Sequence, residues 1–368
     1  MSSIGNVVRI GAALLSAGVV HAQDIRYVVI DQDAAGPGGT DMASILLLLQ
    51  APHVETLGIT VVTGDAWRDE EVLHALRLLE LIGRTDIPVV PGAALPLVRR
   101  QHETQLWEQL YGRVVYQGAW TPGPRSHAQS EIPPLREGKP QKQPSSEDAA
   151  HFLVRMVHEH PHEVTIYEGG PMTNLALALG LDPHLAELSN GLVFMGGSLN
   201  PQSEDPEIVN DPRREFNLWF DPEAAHIVLR APWPSIVSTT VDVSVKTQLT
   251  AQMLQDIAKV QTPVAQYIAK YSEPQHSYLW DELAAAAWLD TGLITREKQV
   301  YMDVNVDHGA GYGDTLTWSD EVKPSAHGRL VHAQIDVDMP RFAKFFVQVL
   351  TAPTPHARNP LMLQTAGN

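Results

Sequence analysis

The feature that most constrains this chain is an alternation of short apolar runs with longer helical ones, in which the short runs end on acidic residues or glycine. Tyr27 to Ile30 leads into Asp31-Gln32-Asp33 and a glycine-rich turn, Ala34 to Thr40. Asp41 then precedes a helical pattern, Met42 to Gln50. Thr56 to Thr63 ends at Gly64-Asp65, and a helix over Asp69 to Ile82 repeats apolar residues at Val72, Leu73, Ala75, Leu76, Leu78, Leu79 and Leu81. Ile87 to Val90 closes at Pro91-Gly92. Strand-length runs separated by helical ones predict an α/β fold, a mostly parallel central sheet flanked by helices in the Rossmann manner.

The second half continues the pattern. Asp148 and the residues before it form a cap signal for a helix over Ala149 to His160, and Val164 to Tyr167 is a strand ending in Glu168-Gly169-Gly170. Thr173 is placed to cap a helix from Asn174, Leu192 to Met195 is a strand ending in Gly196-Gly197, and Asp221-Pro222 marks another helix start. Ser235 to Val241 and Leu330 to Val337 read as further strands, and Arg341 to Leu350 as a last helix. Thr121 to Ser146, rich in Pro, Lys, Gln and Ser, has no apolar period and reads as a long surface loop within a single domain over 23–368.

Met1 to Ala22 resembles a secretory signal: Arg9, an apolar run from Ile10 to Val20, and Val20-His21-Ala22 as a cleavage site. Export to a periplasm or the exterior is therefore expected. No later stretch has the ~18 apolar residues of a membrane span. The formal net charge of −17 argues against a nucleic-acid polymer or anionic lipid as partner, and the absence of cysteine excludes disulfides and thiol catalysis.

Ligands of open α/β sheets bind outside the carboxyl ends of the strands. Asp31, Asp33 and Asp41, then Gly64-Asp65, then Glu168-Gly169-Gly170, then Met195-Gly196-Gly197 all follow expected strands and can meet there. Carboxylates as close as Asp31-x-Asp33 with Asp41 repel unless a cation neutralises them, and hard oxygen donors suit Ca²⁺ or Mg²⁺ better than zinc. For this cluster alone, metal binding and simple capping by Asp41 both stay open.

The run Val28 to Leu48, VVIDQDAAGPGGTDMASILLL, resembles the N-terminal signature of inosine/uridine-type nucleoside hydrolases. The resemblance continues through Gly58 to Val62 with Gly64-Asp65, Glu168 to Asn174, Val193 to Gly197, Glu215-Phe216-Asn217 with Asp221 to Ala225, and Trp280-Asp281. It implies calcium-dependent hydrolysis of the N-glycosidic bond of ribonucleosides, by attack of a water that calcium activates, and a dimer or tetramer. Residue by residue it implies that Asp33 binds calcium and takes the proton of the attacking water, that Asp41 and Asp281 are further calcium ligands, and that Gly169, where the family usually has Thr, supplies its backbone carbonyl. Glu215 and Asn217 are implied as ribose binders, with Met195, Asp65 and Asn210 beside the sugar and Asp31 supporting the site from behind.

Two departures from the family pattern stand out. The turn between Asp33 and Asp41 is about three residues longer, and Thr40 replaces an Asp that usually holds a ribose hydroxyl. Trp280, where pyrimidine-tolerant members carry His, resembles the purine-preferring branch, in which a Trp stacks on the base; core packing is the alternative. Trp107, Tyr111 and Trp120 are weaker candidates for a second stacker, and no residue stands out as the acid for the leaving base. Two rival readings are a non-catalytic nucleoside or sugar binder on the same fold and a DxD-type Mg²⁺-dependent phosphatase. The phosphatase would need a later Thr/Ser, Lys and paired acids that are not found in order, and it leaves Glu215-Phe216-Asn217 unexplained.

Overall fold

Nine strands run through the described residues: β1 (Arg26–Gln32), β2 (Val54–Val61), β3 (Val89–Pro91), β4 (Val164–Glu168), β5 (Gly191–Met195), β6 (Ile236–Thr239), β7 (Ile294–Val304), β8 (Thr315–Trp318) and β9 (Arg329–Val337). They belong to a computed structural model that describes residues 25–124, 126–274, 278–325 and 328–355. The signal-like segment, Met1 to Ala22, lies outside the described residues. The strands form one sheet in the order β3-β2-β1-β4-β5-β6-β9-β7-β8. Every pairing from β3 across to β9 is parallel, and β7 pairs antiparallel with both β9 and β8. The antiparallel strands β7 and β8 were not read from the sequence.

Alternate residues of each central strand enter opposite cores, as a pleated strand covered on both faces requires. Val28 and Ile30 pack with the helices Gly39–Gln50, Arg68–Ile82, Pro263–Tyr271, Trp280–Leu289 and Met339–Thr351. Val29 points the other way, into a core built with Ala149–Glu159, Thr173–Leu181 and Pro222–Arg230. The helix after β1 and the helix after β4 thus cover opposite faces. Chain direction across the sheet reverses between these two strands, which leaves a crevice at their carboxyl ends.

Most element boundaries agree with the sequence reading to within about two residues. Thr173 is a correction. It lies inside its helix, and its hydroxyl donates to Asp221 Oδ2 (2.7 Å) instead of capping. Asp221 itself acts as read: it accepts Ala224 N–H as the cap of Pro222–Arg230, and also Leu97 N–H (2.8 Å).

The described residues of the long segment over 121–146 hold no helix or strand and are tied across Arg68–Ile82. Glu137 pairs with buried His74, His127 Nε2 meets Glu70 (3.0 Å), and Glu80 Oε1 accepts Gln141 and Lys142 N–H (2.6 and 2.8 Å). Of these contacts, the Glu80 carboxylate supplies acceptors to backbone N–H groups that have no ladder partner.

Asp221 joins three segments while fully buried. Asp221→Ala should cost about 2–4 kcal/mol, a cap plus two stranded donors. Urea denaturation checks this; a change below about 0.5 kcal/mol, typical of surface sites, would refute it.

Candidate active site

The crevice between β1 and β4 opens into a cavity of about 480 Å³, within the range of small-molecule sites. Its wall includes Asp33, the turn Ala35 to Thr40, Asp41, Asp65, Gly169, Met195, Glu215, Asn217, Trp280 and Asp281. Ten of the twelve site residues expected from the sequence therefore meet here. Asp31 stands behind this wall and Asn210 beside it. Asp31 is fully buried at the end of β1 and accepts from Thr60 Oγ1 (2.8 Å) and Asn174 Nδ2 (2.7 Å), and burial, followed by the Asp31 charge, raises the neighbouring Glu168 well above the usual carboxylate range. Asn210 is exposed and faces a smaller adjoining cavity with Arg113 and Trp219.

Four carboxyl groups converge on the crevice. Asp33 follows β1, Asp65 follows β2, and Asp41 and Asp281 occupy first turns of the paired helices Gly39–Gln50 and Trp280–Leu289. Burial first, then the Asp65, Glu71 and Asp281 charges, pushes Asp33 well above the usual carboxylate range. Burial and the Asp65, Asp33 and Asp281 charges do the same to Asp41. Asp281 is raised by burial, against the bond from Gln32, and Asp65 is raised by burial to about 6, against the bond from Tyr116. Asp41 and Asp281 are close enough to hydrogen-bond, which two ionised carboxylates cannot do. Such a group holds protons or a cation.

The donor set fits a hard cation. It is all oxygen, and Gly169, whose carbonyl accepts from Asn217 Nδ2, lines the same wall. Among the described residues no three acidic or imidazole side chains gather tightly enough to hold an ion unaided, so carbonyl and water oxygens would complete the shell. A further sign is Gln32, which was not singled out in the sequence. Its Nε2 donates to Asp281 Oδ2 (2.7 Å), while its Oε1 is buried and accepts no hydrogen bond among the described residues.

Close approach requires glycine at two places. A Cβ on Gly64 would overlap the Asp33 carboxylate, and a Cβ on Gly169 would overlap Gln32 Oε1. The Gln32 amide thus fills the space that a Thr at 169 would need. Thr40 has a similar explanation. Its hydroxyl donates to the buried Glu282 carboxylate and accepts Asp281 N–H (3.0 Å), so an Asp here would face Glu282 directly.

Glu215 caps Phe216–Phe220, accepting Asn217, Leu218 and Gly197 N–H, and burial raises it to about 7. Asn217 Nδ2 donates to the carbonyls of Gly169 (3.0 Å) and Met195 (3.1 Å), which ties β4 to β5 across the crevice. Trp280 is half-buried, packs on the core behind it and meets Tyr278 edge to face at 5.1 Å while lining the cavity. Core packing therefore holds for Trp280, which also lines the cavity.

Trp107, Tyr111 and Trp120 do not line the cavity. Trp120 is buried against Phe220, and Trp107 donates to Gly309 O. Tyr116, Glu207, Ile208, Arg214 and Tyr278 do line it and carried no recognisable motif, as does Phe216 from the Glu215-Phe216-Asn217 run. His308 stacks on Tyr312 away from the cavity wall.

Comparison with known proteins agrees with this arrangement. Residues 28–344 match the model of the inosine-uridine preferring nucleoside hydrolase family. The pyrimidine-specific ribonucleoside hydrolase RihA of Photobacterium profundum is 30% identical over 67% of this chain and 70% of its own length. A probable uridine nucleosidase of Arabidopsis thaliana is 31% identical over 69% and 71%. Among solved structures, the plant nucleoside hydrolase PpNRh1 superposes with a TM-score of 0.70 at 25% identity, covering 89% of this chain and 99% of its own. A purine-preferring ribonucleoside hydrolase from Gardnerella vaginalis shares the fold, with a TM-score of 0.70 at 22% identity over 89% of this chain and 98% of its own.

The Gln32–Gly169 contact makes a double-mutant cycle informative. Gly169→Ala should destabilise the protein by about 1–3 kcal/mol through overpacking. Gly169→Ala in a Gln32→Ala background should cost much less, a coupling above about 0.5 kcal/mol. Additive losses in urea denaturation would show that the two residues do not compete for space.

Proposed function

Because the chain belongs to the inosine-uridine preferring nucleoside hydrolase family, whose members hydrolyse N-glycosyl bonds, we propose that it is a calcium-dependent ribonucleoside hydrolase. The observation that carries the reading is the meeting of Asp33, Asp41, Asp281 and the Gly169 carbonyl at the β1/β4 crevice, beside Glu215 and Asn217. Asp33, Asp41, Asp281 and the Gly169 carbonyl would hold the calcium. Bound there, the ion supplies positive charge that favours ionisation of a water. Calcium suits the set because it accepts carboxylate, carbonyl and water oxygens in flexible numbers.

The protein's own groups account for the rest. Asp33 accepts the proton of the attacking water as general base, and Gln32 holds Asp281 in place. Glu215 and Asn217 take ribose hydroxyls, with Met195 beneath the sugar. As the C1′–N bond breaks, positive charge develops on the ribose, and the surrounding carboxylates stabilise it. Water attack from the face opposite the base inverts the anomeric centre, as in inverting O-glycosidases. The aromatic wall of Trp280 and Tyr278 favours a purine as the flat leaving group. The signal-like Met1 to Ala22 supports export, and a homo-oligomer is the expected assembly. No helix of the described residues is long and apolar enough to cross a membrane.

The test is release of reducing sugar from inosine, guanosine, adenosine, uridine and cytidine, with and without a calcium chelator. Release that stops with chelator, returns with Ca²⁺ and falls at least roughly 10³-fold in Asp33→Ala supports the reading. Faster release from inosine than from uridine supports the purine preference; the reverse order overturns that part alone. Calcium-loaded protein that releases sugar from none of the five would move a non-catalytic binder on this fold to first place.

A further inference from the structure

The cavity has an acid without an assigned task. We propose that Glu207 is the catalytic residue that protonates the departing base, an inference that rests on the nucleoside hydrolase reading and extends it.

Glu207 lies on the short helix Pro206–Asn210, which Asp205 caps through Glu207 N–H (3.0 Å) and which Ile208 anchors as its one buried residue. Glu207 and Ile208 both line the main cavity. Glu207 also borders the small cavity next to it, and the residue is exposed, so it stands at the rim. Its carboxyl makes no hydrogen bond or ion pair with the described residues. The position suits a group that faces the ligand on one side and exchanges protons with water on the other.

Elimination among the other cavity groups leads to the same residue. No histidine lines the cavity among the described residues. Asp33, Asp41 and Asp281 are committed to the crevice floor, and Asp65 bonds to Tyr116. Glu215 accepts three backbone N–H groups, which fixes its oxygens as acceptors. The Tyr116 hydroxyl is bound to Asp65 and pushed well above its ordinary range by burial and then by that carboxylate, which makes it a poor acid. Tyr278 pairs with Ser203 (3.3 Å). Arg214 is bound to Asp211 (2.6 Å), and a guanidinium does not give up a proton near neutrality.

The electrostatics favour the acid form of Glu207. Burial of the carboxyl, followed by the charges of Asp205, Asp65 and Glu215, raises it to about 7. Arg113, Arg214, Tyr116 and Asn210 border the small cavity with it. A general acid works best with a pKa near the working pH.

The step balances. The C1′–N bond breaks and its electron pair stays with the base, which takes the proton from the Glu207 carboxyl. The water oxygen bonds to C1′ and its proton passes to Asp33. Free base and free ribose leave, Glu207 regains a proton from solvent, and Asp33 returns its proton to solvent.

The experiment compares wild type with Glu207→Gln, both loaded with Ca²⁺, on inosine, uridine and p-nitrophenyl β-D-riboside. Nitrophenolate is stable enough to leave unprotonated. Glu207→Gln should lower kcat on the nucleosides about 10²–10³-fold while changing the nitrophenyl riboside by less than about threefold. The wild-type kcat should fall as pH rises through about 7, where Glu207 loses its proton, and this limb should vanish in the variant. Equal losses on both substrate types, or full activity on nucleosides, would overturn the assignment of Glu207 while leaving the hydrolase reading intact. A wild type inert toward every substrate would overturn the hydrolase reading and this assignment with it.

Discussion

Charge crowding at the β1/β4 crevice is the constraint around which the rest of the structure is arranged. Placing Asp33, Asp41, Asp65 and Asp281 together under low solvent exposure works against Coulomb repulsion and desolvation at once. Nothing in the local chain would gather them. The sheet gathers them, because β1, β2 and β4 end at one level and two helices present their first turns above that level. Folding of the apolar cores on both faces must therefore offset the cost of this cluster, and a bound cation would offset it directly. A second buried acid pair, Asp31 with Glu168, lies beneath the first and keeps the strand ends hydrogen-bonded through Thr60, Asn174 and Gly170.

Thr40 and Gly169, where the family usually has Asp and Thr, are each explained by a neighbouring side chain. Thr40 would be a simple loss if the position were isolated, but its hydroxyl connects Glu282 to the backbone of Asp281. The acid beside position 40 is the buried Glu282, one residue after Asp281. Gly169 likewise makes room for Gln32, whose amide then holds Asp281. In each case the exchange ends at the same carboxylate. Asp281 is supported from Gln32 on one side and Thr40 on the other, and the longer turn is pinned by Gly38 N–H to Tyr267 (3.1 Å).

The central sheet was legible because strands covered on both faces are apolar throughout and end abruptly at Asp or Gly. That signal located β1, β2, β4 and β5 closely, and with them most of the crevice floor. It failed for β7 and β8, where a strand such as ITREKQVYMDV carries five exposed residues in succession and shows no apolar run at its start. Thr173 was misread because a Thr before a helical run fits a cap equally well, and only the partner, Asp221, tells the two apart. Gln32 was missed for a different reason. A polar residue between two aspartates looks like an exposed position on an alternating strand, yet it is fully buried and meets Asp281, which is distant in sequence.

The rim was the least legible part, and the cause is structural. Floor residues sit at strand ends or first helical turns, where backbone geometry fixes both the residue type and its spacing. Tyr116, Glu207, Arg214 and Tyr278 sit on short helices and connections, where many sequences satisfy the same backbone. On the proposed reading their constraint comes from the ligand. The water-activating end of such a site must keep a fixed set of oxygens, whereas the end that receives the base can change residues as long as one group there supplies a proton. With Glu207 as the proposed acid, a hydrolase of this build needs no histidine in its cavity, because an acid on the rim is shielded enough to hold its proton near neutral pH and open enough to recover it from water.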